Sequence, residues 1–332
     1  MTAVVQTTMP TPTSRLSRFV QRQGWTVGVA VLLAVLLFWR ISQLPKFEGF
    51  EVRTITAGTM SLAFLAMAQS VVVISGGIDL SVGPMMVFAN CLAVSWMGDR
   101  GLGTCLLIAL VVLVIVVALA TLTGLIITVS GVPDIIVTLA TGFTLAGLAL
   151  FVLESPRSGV TPDFQRVIAG SLSNPWPSVL WIAGALVLVW APLRRSRLGL
   201  AIFAVGSKRN AAFLSGVRIA RTRVIAYAVG GLFTGLAGLT VTAVTLGGEP
   251  RETIGTNATL NSVAAAVLGG VALTGGVGGL LGPVLAALCL TLIPAIMLGL
   301  GWDPSNADTA RGVIIILVVA VAGLVQTRRR VS

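Results

Sequence analysis

The sequence predicts an all-α integral membrane protein of about ten transmembrane helices, with both termini cytoplasmic and a possible inverted repeat. Three observations carry that reading. Only 10% of the 332 residues are charged, 56% are hydrophobic and the mean hydropathy is +1.00; a soluble domain carries about 25% charged residues. The apolar residues fall into runs long enough to approach the ~30 Å of a bilayer's hydrocarbon core. The 22 Lys and Arg residues gather between those runs instead of along them.

Each element follows in order. Residues 1–22 are rich in Thr, Pro and Ser and carry Arg15, Arg18 and Arg22, as expected of a disordered basic cytoplasmic tail. A polytopic domain is expected over 23–327 and a short basic cytoplasmic tail over 328–332. Within the domain, spans are expected at 25–44, 54–75, 82–98, 102–128, 135–153, 177–193, 223–246, 258–274, 283–300 and 311–326. The first resembles a signal peptide in its basic approach, but Phe38-Trp39-Arg40 follows the apolar core and no small-residue cleavage pattern appears, so it reads as an uncleaved anchor. With the N-terminus inside, an even count returns the C-terminus inside and places 194–222 there too. Fourteen Lys/Arg then lie on the cytoplasmic side and eight opposite, in keeping with the positive-inside rule. Nine or eleven spans would split the basic clusters across the membrane.

The stretch Gly76-Gly77-Ile78-Asp79-Leu80-Ser81-Val82-Gly83 interrupts two apolar runs. An Asp at the centre of a membrane helix costs roughly 2.5–3.5 kcal/mol on insertion scales, so its presence implies a partner, a cavity or an interface. Paired glycines let the backbone leave helical geometry, which lipid permits only where protein or water satisfies the freed groups. A helix break is therefore expected, with Asp79 either capping the helix that follows or touching a solute.

Two further segments stand out. In the basic loop 194–223, Ser207 or Asn210 can cap a helix start, Ala211-Ala212-Phe213-Leu214 favours one or two turns, and Ser215-Gly216 suits a left-handed stop. Such a helix is either a knob for a partner protein or part of a charged loop that only enforces topology. Near the C-terminus, Gly269-Gly270 and the run Gly275-Gly276-Val277-Gly278-Gly279 break or kink the chain, and Gly231/Gly235 and Gly275/Gly279 have the spacing of close helix approach.

Several functions are excluded. The net charge of +11 sits at membrane boundaries with no aromatic interleaving, which argues against nucleic acid. The chain has no histidine, and Cys91, Cys105 and Cys289 lie in apolar stretches without metal-ligand spacing. No Gly-Lys-Ser/Thr occurs and Lys46 and Lys208 are the only lysines, so the chain has no Walker-type ATP site. No catalytic cluster points to an enzyme.

Gly-Gly-Ile-Asp-Leu-Ser-Val-Gly at 76–83 closely resembles the signature of permease subunits of ribose/xylose-type (monosaccharide) ABC importers of bacteria. The resemblance continues through Ile136-Val137-Thr138-Leu139-Ala140-Thr141, Ala204-Val205-Gly206, Leu214-Ser215-Gly216, 230–239, 267–276 and Arg311-Gly312-Val313-Ile314-Ile315. It implies a multi-pass protein of the bacterial cytoplasmic (inner) membrane, paired with a second permease copy or a related one. It also implies two copies of a cytoplasmic ATPase subunit, which would use ATP so that this chain needs no cofactor, and a periplasmic sugar-binding protein. The segment Asn210, Ala211, Ala212, Phe213, Leu214, Ser215, Gly216 would be the piece gripped by the ATPase, although Asn210 stands where the family often has an acid. Asp134 is a second departure, at a position more often apolar or aromatic. For a sugar path, Gln69, Ser70, Asn90, Thr138, Thr141, Asn257 and Asn261 offer exchangeable hydrogen bonds; each could equally join helices. A pentose or related small polar solute is the expected cargo. The alternative is a stand-alone secondary carrier or channel for a small polar solute; a proton- or sodium-coupled carrier generally shows paired charges at mid-membrane.

Overall fold

The computed structural model describes residues 15–44, 48–171, 174–302, 309 and 312–313. Among these residues thirteen α-helices follow one another: α1 Arg15–Ser42, α2 Gly49–Ile74, α3 Val82–Met97, α4 Leu102–Ser130, α5 Asp134–Val152, α6 Pro162–Ile168, α7 Trp176–Gly184, α8 Ala191–Arg195, α9 Arg197–Ser207, α10 Arg209–Leu214, α11 Ile219–Thr245, α12 Glu252–Leu268 and α13 Leu281–Gly299. A π-helical stretch at Ala185–Trp190 joins α7 to α8, and two-residue strands β1 (Arg157–Ser158) and β2 (Gly247–Gly248) pair antiparallel.

Among the described residues, seven helical segments are long and apolar enough to cross a bilayer: Trp25–Ser42, α2, α4, α5, Trp176–Arg195, α11 and α13. α3 has 16 residues and α12 has 17; at 1.5 Å per residue each covers only about 25 Å. Residues 1–14, the C-terminal tail at 328–332 and nearly all of the span expected at 311–326 lie outside the described residues.

Two boundaries differ most from expectation. α1 already begins at Arg15, within the segment expected to be a tail. Its first turns alternate Arg15, Arg18 and Arg22 with Leu16, Phe19 and Val20, a helical period that composition alone conceals. α12 runs over 252–268 instead of 258–274. Hydropathy discounts Glu252, Thr253, Thr256 and Asn257, whereas the helix accepts them and stops at Gly269-Gly270, where Val271 N–H reaches back to the Ala266 carbonyl.

α2 is the axis of the bundle, buried along most of its length. It packs against α11, α13 and α12; α11 also packs along α4 and α3. These contacts rely on small residues: Gly231 faces Ala120 and Val116 of α4, and Gly238 faces Ala89 and Met86 of α3, at distances no side chain would permit. The outer surfaces of α1, α4, α5 and α7 are apolar and exposed, with Val31, Leu107, Val114, Phe143 and Leu180 among the uncovered side chains.

The two ends of the bundle differ in charge. One end gathers the C-terminus of α2, the N-termini of α5 and α11, helices α8 to α10 and the 269–280 turn. Among the described residues it carries Arg194, Arg195, Arg197, Lys208, Arg209, Arg218, Arg221 and Arg223 against Asp134 and the buried Asp79 of the adjoining break. Toward the other end lie Arg40, Arg53, Arg100, Arg157, Arg166 and Arg251 with seven carboxylates: Glu48, Glu51, Asp99, Glu154, Asp163, Glu249 and Glu252.

Candidate functional site

The α2–α3 break begins at the basic end. Gly76, at φ +83°, takes the left-handed conformation that ends α2, and the Gly77 N–H closes the turn on the Val72 carbonyl. The chain then lies extended along α5. Gly77 sits against the Asp134 carboxylate, the Ile78 carbonyl is 3.5 Å from Thr138 Oγ1, and Leu80 and Ser81 pass Gly142. From Asp134 to Gly142 is eight helical residues, so α3 starts about 12 Å deeper than α2 ends.

There it meets the second short helix. The Gly83 N–H donates to Thr259 Oγ1 of α12 at 3.0 Å, and Gly255 packs so closely that a methyl at Gly83 would overlap its carbonyl. The site thus joins a short helix from each half of the chain, both entered through non-helical backbone. Asp79 is buried, and its Oδ1 accepts from Ser81 N–H (2.8 Å) and Ser81 Oγ (2.6 Å). It does not cap the N–H groups of α3 directly; it fixes Ser81, the residue before the helix.

The seven polar candidates separate into four kinds. Asn90 is a structural tie: its amide nitrogen donates to Thr242 Oγ1 and to the Gly247 carbonyl, both at 2.9 Å, which holds α3 to the end of α11. Ser70, Thr138 and Thr141 donate to carbonyls four residues earlier in their own helices; Thr141 is half-exposed while Ser70 and Thr138 are buried. Gln69 is 1% exposed with both its amide nitrogen and oxygen unpartnered among the described residues.

Asn257 and Asn261 differ from all of these. Thr253, Thr256 and Asn257 are exposed on one side of α12, with Asn261 half-exposed beside them. An exposed polar stripe on a membrane helix is unfavourable against hydrocarbon, so this face meets water, a solute or protein. It borders a shallow cleft formed by Pro84 and Val87 of α3, Ala146 of α5 and residues 250–252 and 255.

At the basic end, α10 forms as the residue pattern predicts and ends on Gly216, at φ +80°, with the Val217 N–H bonded to the Ala212 carbonyl. Neither expected cap operates. Lys208 precedes the helix, Asn210 lies inside it, and Ser207 closes α9 against Gly276. Ala212 is buried, whereas Phe213 and Leu214 are 67% and 85% exposed.

Sequence reasoning missed the contacts that flank α10. Arg223, 7% exposed, pairs with Asp134, and the Tyr227 hydroxyl donates to Asp134 Oδ2 at 3.1 Å. Both charges open membrane helices at the same end of the bundle, a placement visible in the sequence once their spans are drawn. Gly206 of α9 meets the Ile74 carbonyl, Gly76 and Gly276 backbone to backbone. An open cavity of about 280 Å³ is lined by Ser75, Gly76, Asp134, Val205, Gly206, Arg209, Arg223 and Thr274.

Comparison with known proteins matches residues 51–321 to a family described as the permease component of the branched-chain amino acid transport system. The chain is 30% identical over 305 residues to a probable ABC transporter permease protein, y4mJ, of Sinorhizobium fredii, covering 91% of this chain and 89% of the relative. It is 29% identical to the ribose import permease protein RbsC of Escherichia coli K12, over 90% of this chain and 94% of that one. With RbsC of Bacillus subtilis the identity is 28%, over 90% and 92%. No solved structure is significantly similar.

Proposed function

The chain belongs to this family of transport-system permease components, and from that premise we propose that it is the membrane subunit of an ABC importer that carries a monosaccharide of pentose size inward. The observation that carries the cargo is the near end-to-end similarity to ribose import permeases of both Escherichia coli and Bacillus subtilis. The family description mentions amino acids, and the cleft beside the stripe does hold Arg251 and Glu252, with Arg251 paired to Glu249, so the choice of a sugar rests on the relatives and on the stripe itself. Thr253, Thr256, Asn257 and Asn261 present neutral hydroxyls and amides, which suit a polyhydroxylated solute that must be released again.

In this reading the basic end is cytoplasmic, both termini lie there, and a tenth span completes an even count. The excess of cations over carboxylates at that end supports the orientation. The two short helices meeting at Gly83 and Gly255 support an inverted repeat. Residues 1–22, with Arg15, Arg18 and Arg22, and residues 328–332, with Arg328, Arg329 and Arg330, are read as basic cytoplasmic segments flanking the polytopic domain. A second copy faces the polar stripe of α12, so that the solute passes between copies. A periplasmic binding protein delivers the solute at the opposite end, and two ATPase subunits each receive one α10 with its exposed Phe213 and Leu214. The signature at Gly76, Gly77, Asp79, Ser81 and Gly83 shapes the break beside the path, with Asp79 structural. The chain itself hydrolyses nothing.

The test is reconstitution of the permease in vesicles with its ATPase subunit and binding protein. Ribose uptake that requires all three supports the proposal. Uptake by the permease alone identifies a stand-alone carrier or channel, and uptake of leucine in preference to ribose overturns the cargo.

A further inference from the structure

Helix α10 hangs between two points that fix the same short piece of chain. Upstream, three residues before α10 begins, Gly206 leaves no room for a side chain: a methyl there would overlap the Ile74 carbonyl. That carbonyl also accepts from the Gly276 N–H at 2.9 Å, so Gly206 is held in a backbone junction with the end of α2. Downstream, nine residues after α10 ends, Arg223 pairs with Asp134. The Tyr227 hydroxyl donates to the same carboxylate at 3.1 Å and lies 3.4 Å from the Ile78 carbonyl. Gly77 fits between them only because it lacks a side chain; a methyl would stand 2.9 Å from Asp134 Oδ2 and 3.2 Å from the Tyr227 hydroxyl.

Both anchors therefore bear on residues 74–78, the start of the α2–α3 break. One is backbone against backbone and the other a buried charge cluster, and packed groups of this kind transmit displacement instead of absorbing it. The open cavity between them gives the break space to move. An ion pair at this depth is costly to desolvate, so it is weak evidence of stability by itself. Its placement against Ile78 and Gly77 gives it another use.

We propose that Gly206 and the Arg223–Asp134–Tyr227 cluster form a two-point linkage that converts movement of α10 into displacement of residues 74–78, making Asp134 and Tyr227 positioning residues for transport. This rests on the reading of α10 as the segment gripped by an ATPase subunit.

The experiment uses the full importer in vesicles and records ribose uptake and ATP hydrolysis together for the unaltered protein, Asp134→Asn, Tyr227→Phe and the double variant Asp134→Asn/Arg223→Gln. Tyr227→Phe removes one hydroxyl and leaves the ion pair and the ring's packing. The expected result is ATP hydrolysis within about twofold of the unaltered complex while ribose moved per ATP falls by about 2- to 30-fold, the range of measured coupling changes. The double variant falls no further than Asp134→Asn, because the two residues act as one unit. The proposal is overturned if uptake per ATP is unchanged in Asp134→Asn and Tyr227→Phe. It is equally overturned if uptake and hydrolysis fall in parallel with complex yield and thermal stability, which marks a structural role only. Failure of the unaltered protein to couple uptake to ATP would instead refute the importer reading beneath it.

Discussion

Replacing Phe213 and Leu214 together by Ala separates the folding of the chain from its coupling to a partner. Leu214 is 85% and Phe213 67% exposed, so truncation removes little packing inside the chain, and Ala is the best helix former available for α10. The thermal stability of the isolated permease should move by no more than about 0.5 kcal/mol, as for other surface substitutions. Fully burying a Phe or Leu side chain is worth about 1.5–3 kcal/mol. Since Phe213 already has a third of its surface covered, the pair can contribute roughly 2–5 kcal/mol to a partner that covers it. The affinity of the detergent-solubilised permease for its ATPase subunit should then weaken by about 30- to several-thousand-fold, with ATP-driven uptake falling as the complex dissociates. A titration of labelled ATPase subunit against the purified variant measures this directly. Unchanged affinity and uptake would refute the assignment of α10 as the gripped segment. A variant that loses its own fold would refute the exposure on which the reasoning rests.

Other outcomes follow from the same geometry. Asn90→Leu removes the bonds to Thr242 and Gly247 and should lower thermal stability by about 1–3 kcal/mol without altering solute preference; a changed preference at unchanged stability would place Asn90 on the path instead. Asn257→Ala, on the exposed stripe of α12, should leave stability within about 0.5 kcal/mol yet reduce ribose uptake, and full uptake would remove that stripe from the path. Asp79→Asn keeps an oxygen for both Ser81 bonds and should assemble nearly normally, whereas Asp79→Leu should lose folded protein in a membrane-fraction assay; equal yields would show that the turn needs no acceptor. Gly83→Val overlaps the Gly255 carbonyl and should abolish assembly, and a normally assembled variant would contradict the crossing of α3 and α12.

Much of the fold is legible because its elements follow the hydrophobic period and its interruptions. The break at Gly76-Gly77 could be placed to the residue, since two glycines and an Asp between apolar runs have few helical solutions. α10 was equally visible, from Ala-Ala-Phe-Leu closed by a glycine. α12 was not. Its first turns carry Glu252, Thr253, Thr256 and Asn257, which a hydropathy window reads as loop, although the folded chain keeps them helical and exposed. The sorting of polar residues also lay beyond the sequence. Asn90 and Asn257 look alike as letters, and only the fold shows that one is spent on Thr242 and Gly247 while the other faces outward. The Arg223–Asp134 pair spans 89 residues of sequence, and it is found only when the ends of α5 and α11 are brought together.

The most direct test of the central claim is ribose accumulation in vesicles that hold the permease, its binding protein and an ATPase subunit able or unable to hydrolyse ATP. Uptake should appear with the active subunit and vanish with the inactive one. Uptake of equal rate with the inactive subunit, or with none, would contradict it.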